Sequence, residues 1–239
     1  DRSYTTIVSS RGCPFACTFC NCPTFSNRKC RFRSTANVLK EIEEVKKQGY
    51  NSFCFLDDNF LLDPQRATEI CEGMISHRYS FKWGCEGRTV PSVNGVFKKL
   101  SAAGCDLVML GIESGSQRVL DSMNKGTKLP DIEKAVANAK KAGINLIHGF
   151  FIIGWPGETI EEIKQTFNFA ERLEINTFGF SNLTVFRGTP LWNDAVAKGL
   201  IDEEKHWDKM LPVQEVYPDA IDYKPLFNLR AKFIKRLIM

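Results

Sequence analysis

The sequence has little of what marks membrane proteins and nucleic-acid-binding proteins. Its 239 residues contain no apolar run of about 18 residues, the length that a membrane-spanning helix needs, so we expect no membrane association. The 32 lysines and arginines only slightly exceed the 28 aspartates and glutamates, and a net charge of +4 argues against a nucleic-acid partner. Histidine is scarce, and the scattered positions offer no metal-binding spacing: His77, His148 and His206.

The nine cysteines do not fit a disulfide framework. Their number is odd, and the chain is longer than the small secreted domains that depend on disulfides. Four of them stand alone in apolar or helical segments, where a free cysteine behaves as a small hydrophobic residue: Cys54, Cys71, Cys85 and Cys105. We therefore expect reduced thiols and a cytoplasmic protein. Because the chain begins with Asp1 rather than methionine, we also expect it to be part of a longer protein.

Short β-rich runs alternate with segments of helical periodicity along most of the chain. The predicted strands span residues 4–9, 52–56, 81–85, 107–112, 146–153 and 177–185. The helices between them have ordinary start signals, such as Asp63-Pro64 and Thr189-Pro190, and Gly49 ends the first helix. Strands joined by crossover helices are parallel. The pattern therefore predicts an α/β fold, either an open doubly wound sheet or an incomplete barrel.

This alternation predicts a core domain of residues 1–205. From residue 206 the pattern weakens, and Pro212, Pro218 and Pro225 punctuate an irregular extension that runs to residue 239. A basic amphipathic segment, residues 228–239, closes the chain. We expect this segment to form a docking helix or a helix that is cut short.

Three cysteines, Cys13, Cys17 and Cys20, follow the first predicted strand in the spacing CxxxCxxC. Ligands of parallel α/β folds bind at this carboxyl end of the strands. A structural zinc site usually has two CxxC pairs or one pair plus histidines, and ferredoxins supply a fourth thiolate to each cluster. Cys22 or Cys30 is available in principle as that fourth ligand. Three thiolates alone would hold an iron–sulfur cube by three corners and leave its last iron open to another ligand.

The stretch CPFACTFC, with Phe19 directly before the third cysteine, resembles the motif of radical S-adenosylmethionine (SAM) enzymes. Later stretches resemble the subgroup that commonly carries a cobalamin-binding domain ahead of the radical domain: RKCRFRSTANVLKEIE, FLDDNF, LGIESGSQRVLDSMNKG and FFIIGWPGET. The resemblance covers residues 5–200. It implies a partial (β/α)6 TIM-like barrel, with SAM and a 4Fe–4S cluster on Cys13, Cys17 and Cys20 as cofactors. It also implies an electron donor such as flavodoxin or ferredoxin, and cobalamin held by a domain absent from this chain.

The resemblance further implies which residues contact SAM. These residues follow the predicted strands. Asp57, Asp58 and Asn59 are expected to contact the SAM amino group, and Glu113 and Ser114 the ribose. Lys125 is expected to contact the carboxylate and the backbone near Ile153 the adenine, and Phe19 is also expected to bind the cofactor. Each stretch also has an ordinary structural explanation. Asp and Asn favour turns, Ser114 or Ser116 can cap a helix, Lys125 can be an exposed lysine, and Gly-Pro turns are common.

Several polar residues stay unassigned by the sequence. Glu86 and Arg88 close the third strand and either contact SAM or substrate or pair with each other. The basic stretch from Arg28 to Arg33 is either solvated or in contact with an anionic substrate or cofactor, and His148 is expected to be a core residue.

The resemblance predicts an enzyme that cleaves SAM reductively to a 5'-deoxyadenosyl radical, or that supports cobalamin-dependent methyl transfer or ring rearrangement. The substrate is unknown. The alternatives are an RNA methylthiotransferase-like enzyme and a non-enzymatic zinc or electron-carrier module.

Overall fold

The computed structural model describes residues 4–90, 95–221, 228, 231 and 233. Its central sheet has six parallel strands: β1 (Tyr4–Ile7), β4 (Ser52–Phe55), β5 (Lys82–Arg88), β6 (Cys105–Glu113), β7 (Leu146–Ile153) and β8 (Thr177–Asn182). Each strand pairs with the next one along the chain, and β1 and β8 form the two edges of the sheet. Four two-residue strands form two antiparallel pairs: β2 (Ser10–Arg11) with β3 (Arg31–Phe32), and β9 (Thr184–Val185) with β10 (Leu211–Pro212).

Helices connect the parallel strands, as the sequence predicts, and three more helices among the described residues follow β8, the last of these strands. They are α1 (Cys22–Ser26), α2 (Thr35–Lys47), α3 (Pro64–Ser76), α4 (Phe97–Ala102), α5 (Gln117–Ser122), α6 (Leu129–Lys141), α7 (Ile160–Arg172), α8 (Pro190–Ala197), α9 (Glu203–His206) and α10 (Val213–Val216), with a 3-10 turn at Phe60–Leu62. Side-chain caps fix several starts. Asp63 caps α3, which begins at Pro64, and its carboxylate accepts a hydrogen bond from the Arg66 backbone N–H. Thr159 and Glu162 form a capping box at the start of α7. No helix in the described ranges is long and apolar enough to cross a membrane.

The main core lies between the outer face of the sheet and the helices. There Phe53 stacks on Trp83 and Phe55 lies edge-on to it, and each of the three is 2% exposed or less. Because successive side chains of a strand point to opposite faces, the intervening residues face the concave side of the sheet. There Phe150 is 37% exposed and Met109 is half-buried. The concave face is therefore open enough to receive a ligand.

The ends of two strands differ from the sequence prediction by three residues, and the other strand bounds differ by two residues or fewer. The third strand, β5, continues beyond residue 85 to Arg88, because Glu86 and Arg88 pair with Met109 and Gly111 of β6. The sixth strand, β8, ends at Asn182, and the following residues leave the main sheet to form β9. The first boundary matters for function, since it carries Arg88 to the carboxyl edge of the sheet.

A second, smaller core covers the end of the sheet near β7 and β8. It includes Trp155, Val185, Trp192 and Tyr217, and it takes in β10 and α10. The Tyr217 hydroxyl donates to the Leu191 carbonyl at 2.8 Å. Part of the predicted irregular extension is thus packed onto the domain. Of its last segment, residues 228–239, all but 228, 231 and 233 lie outside the described residues.

Candidate active site

A cavity of about 270 Å³ lies at the carboxyl ends of the parallel strands. Residues from the loop after β1, from β5, β6 and β7 and from two further loops line it: Cys13, Cys17, Phe19, Cys20, Asp58, Glu86, Gly87, Arg88, Met109, Gly111, Glu113, Lys125 and Phe150. Positions scattered over much of the sequence therefore meet at one place. Seven of the eleven predicted cofactor and cluster residues line the cavity: Cys13, Cys17, Phe19, Cys20, Asp58, Glu113 and Lys125.

The cysteine loop is held in place by backbone contacts with the loop after α5. The Thr18 N–H donates to the Met123 carbonyl at 3.0 Å, and the Asn124 side-chain amide donates to the Ala16 carbonyl at 2.9 Å. At the start of the loop, Gly12 has φ +94°, and a Cβ there would lie 2.1 Å from the Lys29 carbonyl oxygen. The loop therefore requires glycine at this position.

The three thiols suit a metal cluster in chemistry and placement. Cys13 and Cys17 are buried, Cys20 is partly buried, and all three line the cavity. Burial raises the pKa of Cys13, although the Phe15 backbone and the charge of Arg88 oppose the shift, and burial also raises the pKa of Cys20. A thiolate metal centre supplies the positive charge that offsets such a shift.

Among the described residues, no three His, Cys, Asp or Glu side chains are gathered closely enough to hold a single metal ion. A cube-shaped cluster has a different requirement. It binds each thiolate through a different iron atom, so the sulfurs surround it instead of meeting at one point. The donor set of three thiols around one cavity fits that group.

Cys22 and Cys30, the candidates for a fourth ligand, are not among the residues that line the cavity. Cys22 begins α1, and burial and the neighbouring Asp58 raise the pKa of its thiol. Burial raises the pKa of Cys30, which lies next to Ser10. Within the described cavity lining, the thiols are therefore those of Cys13, Cys17 and Cys20.

Glu113 and Lys125 form a buried ion pair in the cavity. The Lys125 Nζ lies 2.6 Å from the Glu113 Oε1, and the side chains are 5% and 9% exposed, respectively. The interpretation of Lys125 as an exposed lysine is therefore wrong. A register shift between Gly111 and Glu113, with Glu113 at φ +68°, turns the carboxylate inward. A Cβ at Gly111 would lie 2.7 Å from Glu113 Oε1, so glycine makes room for the pair.

The three residues after β4 that are predicted to contact SAM, Asp57, Asp58 and Asn59, have different environments in the structure. The Asp57 carboxylate accepts from the Ser9 backbone N–H at 2.6 Å and from the Ser9 and Ser10 hydroxyls at 2.5 and 2.6 Å. Through these bonds the buried Asp57 carboxylate fixes the segment that follows β1, and Asp57 does not line the cavity. Asp58 lines the cavity and accepts from the Gly12 N–H at 2.6 Å. Asn59 is buried, and its Oδ1 has no hydrogen-bond partner among the described residues.

Ser114 and Ile153 are buried and do not line the cavity. Ser114 is fully buried, accepts from the Ser116 N–H at 3.0 Å and lies 3.2 Å from the Thr166 hydroxyl. The cap of α5 is Ser116, one of the two serines that the sequence allowed. Ile153 is buried at the end of β7, and its carbonyl accepts from the Leu183 N–H. The predicted SAM contacts of these two residues remain predictions.

The turn after β7 borders the cavity through aromatic contact. Phe19, which lines the cavity, lies edge-on to Trp155 with ring centroids 6.5 Å apart. Glu158 closes the turn by accepting from the Gly154 and Trp155 backbone N–H groups at 2.7 and 3.1 Å. Burial of Glu158 raises its pKa to about 7. A buried carboxyl group therefore fixes the conformation of this turn.

Arg88 is the functional candidate that the sequence left unassigned. Its Nη1 donates to Cys17 Sγ at 3.0 Å, its Nη2 donates to the Lys125 carbonyl, and its guanidinium lies 3.8 Å from the centroid of the Phe15 ring. Glu86 lines the same cavity, and its pKa is raised by burial and by the charge of Asp58. No sequence pattern indicates the Arg88–Cys17 contact, since it depends on how the loop folds over the strand end.

Two further sequence expectations concern residues outside the cavity. Arg28 and Arg31 of the basic stretch are exposed, and Arg33 pairs with Glu41. His148 is partly buried on the concave face, its Nδ1 lies 2.9 Å from the Thr177 hydroxyl, and burial lowers its pKa.

Residues 7–170 match the model of the Radical SAM superfamily. The match covers most of the described core, so the chain belongs to the radical SAM superfamily, whose members use a 4Fe–4S cluster and SAM. The sequence prediction of the family and of an enzyme is confirmed.

Curated relatives extend the comparison beyond the family. An uncharacterized methyltransferase of Pyrococcus horikoshii, PH0819, is 34% identical over 211 residues, which cover 88% of this chain and 46% of that protein. The bacteriochlorophyllide d C-12(1)-methyltransferase of Chlorobaculum tepidum is 33% identical over 215 residues, which cover 85% of this chain and 44% of that protein. The chain thus spans less than half the length of these relatives.

A solved structure with the same fold is the radical SAM methyltransferase TsrM from Kitasatospora setae, with tryptophan and a SAM analog bound. Its TM-score is 0.77 at 23% identity, over 82% of this chain and 39% of that chain. TsrM has also been solved with cobalamin and a [4Fe–4S] cluster, with a TM-score of 0.76. The likeness confirms the predicted partial barrel of parallel strands.

Proposed function

We propose that this domain binds a 4Fe–4S cluster through Cys13, Cys17 and Cys20, and that it binds SAM beside the cluster for radical methyl transfer to a substrate not yet identified. The observation that carries the proposal is one cavity that contains all three thiols together with Asp58 and the buried Glu113–Lys125 pair. When bound, the cluster supplies the electron that cleaves SAM to methionine and a 5'-deoxyadenosyl radical, or it supports methyl transfer through cobalamin.

The chain's own polar side chains complement the ends of SAM. Asp58 offers a carboxylate to an ammonium group, and Lys125 offers an ammonium to a carboxylate. Glu113 has acceptor oxygens for vicinal hydroxyls. Because Glu113 and Lys125 are already paired at 2.6 Å, both side chains are held in the cavity before a ligand arrives.

Apolar side chains complete the wall and keep water from a reactive intermediate. Phe19, Met109 and Phe150 line the cavity between the cysteine loop and the concave face of the sheet. A wall that excludes bulk solvent suits radical chemistry, since closing a site to solvent prevents side reactions of a reactive intermediate. The partly exposed Phe150 ring marks the side from which a substrate would enter.

Methyl transfer is favoured by the relatives, two of which are named as methyltransferases at 33% identity or more. Cobalamin would come from a part of the protein outside this chain, as the sequence resemblance implies. The electron would come from a donor protein such as flavodoxin or ferredoxin.

The test is cluster assembly in the purified chain under anaerobic conditions. Reconstituted wild type should hold about four iron and four sulfide per chain and release 5'-deoxyadenosine or a demethylated SAM product once reduced. Alanine at Cys13, Cys17 or Cys20 should abolish both properties. Cys30→Ser is the matched control, because it removes a thiol of the same segment that does not line the cavity.

Two outcomes would contradict the proposal. Equal iron content in the triple alanine variant and in wild type would place the cluster elsewhere. A single zinc per chain that depends on Cys22 or Cys30 would favour the non-enzymatic metal module instead.

A further inference from the structure

Arg88 joins the cysteine loop to the side of the cavity that carries the ion pair. One of its terminal nitrogens donates to Cys17 Sγ at 3.0 Å, and the other donates to the carbonyl of Lys125. The side chain of Lys125 in turn holds Glu113. A single guanidinium therefore connects a cluster ligand with the groups proposed to bind SAM.

The guanidinium is fixed in this position. Arg88 is 7% exposed, lies opposite Gly111 in the register of β5 and β6, and stacks over the Phe15 ring at 3.8 Å. Its Nε is buried and has no hydrogen-bond partner among the described residues. A buried donor without a partner costs free energy, and an acceptor bound in the cavity would relieve that cost.

The positive charge and the N–H donor of Arg88 would both shift the reduction potential of a bound cluster in the same direction. Adding an electron makes a cluster more negative, so a nearby cation stabilises the reduced form more than the oxidised form. A hydrogen bond to a ligating sulfur acts in the same sense, and such bonds are among the features that set cluster potentials. A cation and an N–H donor at Cys17 should therefore raise the reduction potential.

We propose that Arg88 is a positioning residue that orients Cys17 and raises the reduction potential of the cluster. This inference rests on the proposed function, because it requires a cluster on Cys13, Cys17 and Cys20. It goes beyond that function by assigning to Arg88 an effect on the electron transfer that begins the reaction. The carbonyl contact with Lys125 would also make SAM binding sensitive to Arg88.

The experiment compares Arg88→Gln and Arg88→Lys with wild type after anaerobic reconstitution. Iron content is measured first, and the midpoint potential is then taken from an electron-paramagnetic-resonance titration without SAM. Arg88→Gln should shift the one-electron equilibrium about tenfold toward the oxidised cluster, equivalent to about 59 mV more negative. Arg88→Lys keeps the charge and loses the forked geometry, so its shift should be smaller and in the same direction.

Arg172→Gln is the matched control. Arg172 is an exposed arginine on α7 that pairs with Glu133, and its replacement should change neither iron content nor potential. A merely structural role for Arg88 would lower iron content and leave the potential of the clusters that do form unchanged.

An Arg88→Gln protein with a full cluster and a wild-type potential would overturn the inference. If Arg88→Gln cannot hold a cluster, Arg88→Lys decides, and a potential equal to wild type would overturn the inference. A wild-type chain that binds no cluster would overturn the proposed function itself, which is a distinct result.

Discussion

Replacing Lys125 by methionine should destabilise the folded chain strongly, because the change leaves Glu113 as a buried charge without its partner. The two side chains are 5% and 9% exposed and lie 2.6 Å apart. Breaking a buried pair from one side typically costs about 3–5 kcal/mol. Coulomb's law gives about 6 kcal/mol for unit charges 2.6 Å apart at an effective dielectric constant of about 20, which is the same order of magnitude.

The assay is urea unfolding of the cluster-free chain, followed by circular dichroism at neutral pH. With an m-value of about 3 kcal/mol/M, a loss of about 3–5 kcal/mol lowers the midpoint by about 1–1.7 M. The double variant Lys125→Met with Glu113→Gln removes both charges, so it should be more stable than Lys125→Met alone. If the costs of the two single changes simply add in the double variant, the two side chains are not coupled and this prediction is wrong.

Two further predictions concern loops around the cavity. Burial raises the pKa of Glu158 to about 7 from its usual 4.5, so the folded chain holds a proton that the unfolded chain releases. The free energy of unfolding should therefore fall by about 3 kcal/mol as the pH rises from 4.5 to 7, and Glu158→Gln should remove that fall in urea titrations. Gly12→Ala should lower the iron content after reconstitution, because its Cβ meets the Lys29 carbonyl at 2.1 Å. Gly49→Ala is the control, with φ +86° and no described atom within 4 Å of the added Cβ; equal iron content in the two variants would contradict the prediction.

Much of the fold follows from local features of the sequence. Apolar strands and capped helices are encoded within a few residues, which is why α3 begins at Pro64 after the Asp63 cap, as predicted. The end of β5 cannot be predicted from local sequence, because Glu86, Gly87 and Arg88 do not have the composition of a strand. Their pairing with β6 comes from tertiary contact.

The candidate site likewise contains some residues that local sequence predicts and others that only long-range contacts bring together. The three cysteines and Glu113 belong to short motifs whose positions at strand ends follow from the fold class. The orientation of Asp57 toward Ser9 joins residues 48 positions apart, and the contact of Arg88 with Cys17 joins residues 71 positions apart. Such contacts depend on how loops settle against one another, and no local spacing encodes them.

The proposed function requires that three thiols hold a cluster and that SAM binds at the iron to which no thiol is bound. The most direct test is the electron-paramagnetic-resonance spectrum of the reduced, reconstituted chain before and after SAM is added. Coordination of SAM to the open iron should change the g-values of the whole signal. A spectrum that stays the same at saturating SAM would show that SAM does not bind at the cluster.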